Sequence, residues 1–300
     1  MDQENKLGII YAAVAYTLWG FLPIYWKLVQ HVPADEILAH RILWSFIFMM
    51  IIVLASGKLR PFFRECKQIV HDKKKLLGIS AASIIISINW LTFIWAVNSA
   101  HVVQASLGYY INPLVSILLG MIVLNESLSK RQLLSFILAA IGVVNLTISF
   151  GVFPWVSLLL AFSFGLYGLL KKMVDIGAMF GLTIETMIVT PIALIYLIVI
   201  PDSSLAPDTM FSGSGALLFG AGIATAIPLL LFAAGAKRIP LSMVGFLQYI
   251  APTLMLILGV FLYGEPFTQA HLVSFVFIWA ALIIYMGAAR NKKPVRQKEI

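Results

Sequence analysis

Two ionisable residues, Arg41 and Glu185, interrupt long apolar stretches of the chain. A charge in an apolar region costs several kcal/mol unless it faces a partner or a wet cavity. Arg41 is therefore predicted to attract an anionic or carboxylate-bearing group. Burial favours the protonated form of a carboxyl group, so Glu185 is the residue predicted to bind and release a proton.

A direct ion pair between these two residues is not expected. Arg41 lies roughly 8 Å from one end of its apolar stretch, and Glu185 lies about as far from the opposite end of its own. Across hydrocarbon about 30 Å thick, this leaves a vertical gap of about 15 Å. Simpler roles stay open for both residues. Arg41 could extend to the surface or be neutralised locally by Asp35 and Glu36, and Glu185 could pair with Lys172.

Two matched prolines mark a second candidate region. Pro113 and Pro252 lie near the centres of apolar stretches, and each removes a backbone N–H and frees a carbonyl four residues earlier. In lipid that carbonyl needs a partner or a water-lined cavity, so we expect interrupted helices around a central site, with a packing kink as the alternative. The side chains predicted to bind a solute there are Asn89, Trp90, Tyr110, Asn112, Gln248 and Tyr249.

The composition predicts an all-α integral membrane protein. The chain is 61% hydrophobic and 11% charged, whereas soluble domains average about 25% charged residues. The single cysteine, Cys66, excludes an internal disulfide and a multi-cysteine metal site, and no cofactor is predicted. The net charge of +8 comes from basic residues in short loops, which argues against nucleic-acid binding.

Apolar stretches long enough to cross a bilayer recur along the whole chain. Of the 21 basic residues, all but Lys27 and Arg41 fall on one side of the predicted membrane. The positive-inside rule therefore puts both termini in the cytoplasm, with the lipid bilayer as the partner of the outer surface. The predicted spans are 7–28, 36–55, 76–98, 101–123, 131–150, 154–174, 179–200, 215–236, 241–263 and 268–289.

An internal repeat divides these spans into two groups of five. Residues 105–146 align without a gap with residues 244–285, so that Glu126 meets Glu265. A five-span unit duplicated in one membrane inserts its second copy upside down, which is the inverted-repeat design of many secondary transporters. The predicted division is a first repeat at 1–150, a second at 151–290 and a basic cytoplasmic tail at 291–300.

Other function classes fit the sequence less well. No Asp lies in the middle of a predicted span, and no nucleophile–base pair is apparent, so an intramembrane protease or another enzyme is not predicted. No Walker A sequence is present, which argues against an ATP-driven pump. A channel would need a continuous polar stripe along several spans, and the predicted spans show none. A membrane sensor or assembly factor that transports nothing remains the alternative.

Several motifs are distinctive: Lys27 and the segments 20–23, 36–45, 89–90, 106–109, 112–114, 225–229 and 248–252. Together they resemble the RarD-type branch of the EamA family, within the drug/metabolite transporter superfamily. The resemblance covers nearly the whole chain and implies ten helices in two inverted five-helix repeats, a bacterial cytoplasmic membrane and small organic solutes.

These observations lead to one functional hypothesis. The chain is predicted to be a secondary transporter that moves a small organic metabolite or drug-like solute by alternating access, with export as the working direction. Solute would bind between the repeats near Pro113 and Pro252. Proton coupling through Glu185 and assembly as a homodimer are left open by the sequence.

Overall fold

The structure is a computed structural model, and it describes residues 3–98, 102–151, 153–200, 213–264 and 267–290. These ranges are helical almost throughout, and they fold as the all-α bundle that the sequence predicted. The helices are α1 (Gln3–Leu28), α2 (Ala34–Ala55), α3 (Leu59–His71), α4 (Lys73–Asn98), α5 (Val102–Val123), α6 (Lys130–Phe150), α7 (Trp155–Met173), α8 (Ala178–Val199), α9 (Gly213–Ala236), α10 (Leu241–Gln248), α11 (Ile250–Tyr263) and α12 (Gln269–Arg290).

Within these ranges, ten helical stretches are long and apolar enough to cross a membrane. This confirms the ten predicted spans, whose bounds agree with the helices to within a few residues. α10 and α11 together form one stretch, Leu241–Tyr263.

Helix α3 was not predicted, because the basic segment between the second and third spans was taken as a loop. It is amphipathic: Phe62 and Ile69 are buried in an apolar cluster with Val53 and Ile79. Arg60 and other basic residues lie on the exposed side. Apolar positions spaced by three and four residues carried the helical signal, and the surrounding lysines and arginines obscured it.

One end of the bundle, called the basic end below, collects the loops that are rich in lysine and arginine. Phe62 of α3 shares an apolar cluster with Ile176, which follows α7. Lys237, which follows α9, donates from Nζ to the carbonyl of Val174 at 3.0 Å. The ends of α3, α7 and α9 therefore meet on one side of the molecule.

The opposite end gathers the other helix termini. His31, after α1, lies 3.0 Å from the hydroxyl of Ser214 at the start of α9. Tyr196, near the end of α8, donates to the carboxylate of Asp35 at the start of α2. The spans α1, α2, α8 and α9 therefore run alternately between the two ends, as successive membrane crossings must.

The most extensive helix contacts join the first five spans to the last five: α5 with α7 and α10, α6 with α12, α2 with α8 and α9, α1 with α9 and α11, and α4 with α7. The main apolar core lies among these helices, around Tyr16, Tyr167 and Phe232.

Helices α2 and α9 approach each other closely at Gly222. A Cβ at this position would lie 2.4 Å from the backbone carbonyl carbon of Trp44, and the Ser45 hydroxyl donates to the Gly222 carbonyl at 2.9 Å. Small residues permit such contact between membrane helices. The contact brings Arg41, one turn before Ser45, next to Thr225.

Candidate functional site

Arg41 lies between helices, among aromatic side chains. Its Nε donates to the Thr225 hydroxyl at 2.9 Å, while that hydroxyl donates its own hydrogen to the carbonyl of Ala221 at 2.8 Å. The guanidinium carbon stands 4.7 Å from the ring centroid of Trp26 and 5.0 Å from that of Trp90. Aromatic faces attract a cation, so these rings hold the guanidinium in place.

This geometry answers the question that the sequence left open about Arg41. The side chain is half-buried and packs against α1, α4 and α9 instead of extending freely to the surface. It is also close enough to the Tyr109 phenol for an electrostatic interaction. Among the residues that the structure describes, Arg41 forms no ion pair with a carboxylate.

Asn89 and Trp90 are neighbours in α4 but have different environments. The Asn89 amide nitrogen donates to the carbonyl of Leu160 at 2.9 Å and to the hydroxyl of Ser163 at 2.8 Å. These two bonds tie α4 to α7, so the predicted solute ligand serves helix packing in this structure. Trp90 is partly accessible and lines a cavity on the side of Arg41.

Two small cavities lie along the bundle interior, and Glu185 lines both. The larger has a volume of about 20 Å³ and is also lined by Trp90 and Tyr167. The smaller has a volume of about 10 Å³ and is also lined by Lys171 and Lys237. Each has room for about one water molecule. The larger cavity thus lies between Glu185 and Trp90, which contacts Arg41, and the smaller lies between Glu185 and Lys237 near the basic end.

Glu185 forms a buried ion pair. Its Oε1 lies 2.7 Å from Lys171 Nζ, and the two side chains are only 6% and 4% exposed. Its other carboxylate oxygen accepts a hydrogen bond from the Tyr167 hydroxyl at 3.1 Å. Tyr167 and Lys171 are four residues apart, so they lie on the same face of α7 and together hold the carboxylate of α8.

The expected partner Lys172 is not the one that Glu185 uses. One helical residue turns the side-chain direction by about 100°, so Lys172 points away from Lys171 and towards the end of α9. Its Nζ donates to the carbonyls of Ile239 at 2.6 Å and Ala236 at 3.3 Å. Glu185 therefore pairs with a lysine, as the second alternative expected, but the partner is Lys171 and not Lys172.

Replacing Lys171 with methionine is expected to destabilise the protein by about 3–5 kcal/mol, because it leaves the Glu185 carboxylate buried without its counter-charge. The double variant Lys171→Met/Glu185→Met should recover most of the loss, because it removes both charges. Thermal unfolding in detergent measures the difference. The control is Arg238→Met at the exposed Arg238–Glu4 pair, where the expected loss is at most about 1 kcal/mol. Equal losses for Lys171→Met and the control would contradict the role assigned to the buried pair.

The two matched prolines have different effects on the backbone. Helix α10 ends at Gln248 and α11 begins at Ile250, with Tyr249 as the junction. Pro252 has no N–H to offer the carbonyl of Gln248, four residues earlier. Helix α5 passes through Pro113 without a break. The predicted interruption therefore occurs in the second half alone, and the expectation of matched interruptions is wrong for the first.

The side chains near these prolines lie outside the two cavities. Tyr110 and Tyr249 belong to an apolar cluster with Phe275 of α12, and the rings of Tyr110 and Phe275 are 5.5 Å apart. Within the described ranges, Asn112 Oδ1, Gln248 Oε1 and the Tyr249 hydroxyl are buried without a hydrogen-bond partner. Buried polar atoms without partners are uncommon, so they are candidates for bonds to a solute or to water.

Glu126 of the first half caps a helix of the second. Its two carboxylate oxygens accept the backbone N–H groups of Leu241 at 2.6 Å and Ser242 at 2.8 Å. The N-cap residue of α10, Pro240, makes no side-chain cap of its own, so the distant carboxylate replaces it. A Cβ on Gly120 would lie 2.8 Å from Glu126 Oε2. The repeat-related Glu265 lies outside the described residues.

Replacing Glu126 with alanine is expected to free the start of α10, because a charged cap on a helix N-terminus contributes about 1–2 kcal/mol. Hydrogen–deuterium exchange at the Leu241 and Ser242 amides should become roughly tenfold faster or more. The control is Glu4→Ala, which removes a carboxylate of the exposed pair at the same end. Unchanged exchange at both amides would show that Glu126 does not hold this helix.

Lys237 adds a second positive charge beside the Lys171–Glu185 pair. It lies just beyond the end of α9, where burial and the positive charge of Lys171 lower the pKa of its ammonium group. Lys75 contributes to the same effect, while Asp175 and Glu185 oppose it. Lys237 is therefore partly desolvated and lies close to a second lysine, Lys171, with which it lines the smaller cavity.

Sequence reasoning missed several residues of the site. Tyr167 and Lys171 could have been found from the sequence, because they lie one helical turn apart in a predicted span and therefore on one helix face. Thr225 belongs to a motif of the family resemblance, but neither it nor Trp26 was expected beside Arg41, because that contact depends on how α1, α2 and α9 pack. Over the described residues, no group of three or more His, Cys, Asp and Glu side chains could hold a metal ion.

Comparison with known proteins gives one family and several close relatives. The model of the EamA-like transporter family matches residues 6–148 and again residues 153–287. The chain is 50% identical over 283 residues to the uncharacterized transporter YojE of Bacillus subtilis, covering 94% of each protein. It is 45% identical over 285 residues to protein RarD of Escherichia coli, covering 95% of each.

The fold is also similar to that of one solved crystal structure, with a TM-score of 0.71. The alignment covers 95% of this chain and 99% of the solved one at 18% identity. At that identity the likeness concerns the fold alone.

Proposed function

Because the chain belongs to the EamA-like transporter family, in its RarD-type branch, and is thus a membrane transporter, we propose that it exports a small organic solute by alternating access. The observation that carries this proposal is the sequence of polar groups from Arg41 past Trp90 to Glu185. They lie inside an apolar bundle, between helices of both halves, where a solute pathway would run. The proposed location is the bacterial cytoplasmic membrane.

We propose the inverted-repeat organisation as the basis of alternating access, with repeats at 1–150 and 151–290 and the basic end in the cytoplasm. The internal sequence repeat, the two matches to the family model and the contacts of α1–α6 with α7–α12 support it. The concentration of basic residues at one end supports the orientation. The tail at 291–300 lies outside the described residues.

The hydrogen bonds divide into those that join the halves and those that lie within one half. Arg41 bonds to Thr225 across the halves, and Glu126 bonds to Leu241 in the same way. Lys171 and Glu185 belong to the second half alone. Rocking one half against the other would break the bonds between halves and leave the ion pair intact, which suits a coupling group that must stay in place while the pathway opens.

We propose that the basic end is closed in this arrangement. Glu126 fastens the start of α10, Lys172 binds the carbonyls of Ala236 and Ile239, and Lys237 binds that of Val174. These bonds hold the segment between α9 and α10 against its neighbours. We propose that solute enters from the cytoplasm when this segment is released, and that the break at Tyr249 allows α10 to move separately from α11.

The unpartnered polar atoms of Asn112 and Gln248 are the proposed hydrogen-bonding groups for the solute once the halves move apart. Tyr110, Tyr249, Pro113 and Pro252 would shape the crossing of spans four and nine around them. Gly245 supports close approach there, since a Cβ on it would lie 2.7 Å from the Pro113 carbonyl.

The first test compares the solutes inside and outside cells that contain the wild type, Asn112→Ala/Gln248→Ala, or no protein, at equal membrane levels. One or more organic solutes should move outwards only with the wild type, because the double variant removes the proposed ligands. Gln68→Ala, on the exposed side of α3, is the control and should match the wild type. No difference across a broad range of solutes, with correctly inserted protein, would favour a sensor or assembly factor.

Glu185 is the proposed proton carrier, since its protonation would release Lys171 and couple the two cavities. Glu185→Gln should therefore abolish the response of transport to an imposed pH gradient, while leaving downhill exchange of the solute. Because this change leaves Lys171 buried and charged, Lys171→Gln/Glu185→Gln is the matched variant. It should lose the response to the pH gradient in the same way as Glu185→Gln. Accumulation of the solute found above, in proteoliposomes, is the measurement. Full dependence on the pH gradient in both variants would exclude Glu185 as the carrier.

A further inference from the structure

We infer that the transported solute carries an anionic group, most simply a carboxylate, that the guanidinium of Arg41 binds; this inference rests on the proposed transport function. It names the chemical class of solute, which the family membership leaves open. Two separate regions of the pathway, one at each side of the larger cavity, carry more positive charge than the described carboxylates neutralise.

The first region is the Arg41 site. The Thr225 hydroxyl occupies Nε. Among the described residues the two Nη groups make no hydrogen bond, so they retain the paired N–H donors that fit a carboxylate. Trp26 and Trp90 restrict the guanidinium without neutralising its charge. A fork of donors that is fixed in advance loses less entropy on binding an anion than a free arginine does.

The second region surrounds the smaller cavity at the basic end. Lys171 and Lys237 line it together with a single carboxylate, Glu185. Lys75 and Asp175 also act on Lys237, so three ammonium groups face two carboxylates. Burial, followed by the positive charges of Lys171 and Lys75, lowers the pKa of Lys237.

The larger cavity lies between the two regions. Trp90 contacts Arg41 on one side and lines that cavity, and Glu185 lines both cavities. An anion that leaves the lysines at the basic end would next meet the unpaired guanidinium. A cationic solute would find only Glu185, which Lys171 already occupies, and a neutral solute would leave Arg41 without a counter-charge.

The rest of the lining restricts the body of the solute. Ile42, Ile86, Leu182 and Leu229 surround the larger cavity, so the part of the solute that follows the anionic group is expected to be apolar. The cavity has room for about one water in this closed arrangement. The solute must therefore occupy a volume that forms when the halves separate.

The test sorts the solutes exported by the wild type in the cell comparison by their charge at neutral pH. They should be organic anions, and the purified wild type in proteoliposomes should exchange the carboxylate but not its uncharged amide. Arg41→Gln should weaken the apparent affinity for the anion roughly tenfold to a hundredfold, as expected for loss of charge-assisted hydrogen bonds. Arg64→Gln, on the exposed face of α3, removes the same charge away from the pathway and should have no effect.

Three results would overturn the inference. Export of neutral or cationic solutes only would contradict the inference and leave the transport function intact. This result comes from the wild type, so it does not depend on the stability of any variant. Equal exchange of carboxylate and amide would do the same, as would an unchanged affinity in Arg41→Gln. Failure to find any exported solute would instead count against the proposed transport function, and the inference would fail with it.

Discussion

A polar group in the hydrocarbon interior of a membrane has no water to bind, so the protein itself must supply every partner. Helical structure satisfies most backbone groups, and serine and threonine hydroxyls return their hydrogens to carbonyls one turn earlier, as Ser83 does to Ile79 and Thr186 to Leu182. What remains are the charged groups and the helix ends. Their partners come from distant parts of the chain, and these pairings determine how the spans assemble.

The same constraint explains why the two halves interlock. Asn89 reaches the carbonyl of Leu160, and Ser45 reaches that of Gly222. In each case a polar side chain of the first half finds its partner in the second. Such bonds are specific in register, because a shift by one residue would leave both groups unpaired in apolar surroundings.

Charged pairs in the interior contribute little net stability, because the cost of desolvation offsets their attraction. The Lys171–Glu185 pair is therefore better understood through what it permits. It lies within the second half and between two cavities, whereas Arg41 stands alone among aromatic rings. The interior thus holds one paired carboxylate, Glu185, and one arginine that lacks a carboxylate partner among the described residues.

The sequence by itself determined the class of the protein and its ten spans, because hydropathy over about 20 residues is a local property of the chain. It also predicted the break before Pro252, because the missing N–H follows from the position of the proline. It predicted that Arg41 and Glu185 do not pair, because the depth of each residue follows from its position along its helix. The tertiary structure decided everything that depends on helix rotation and neighbour choice. Lys171 rather than Lys172 faces Glu185, and Glu126 caps a helix in the other half. Rotation by about 100° per residue separates adjacent side chains onto different faces, and only the packing of the spans selects which face meets which partner.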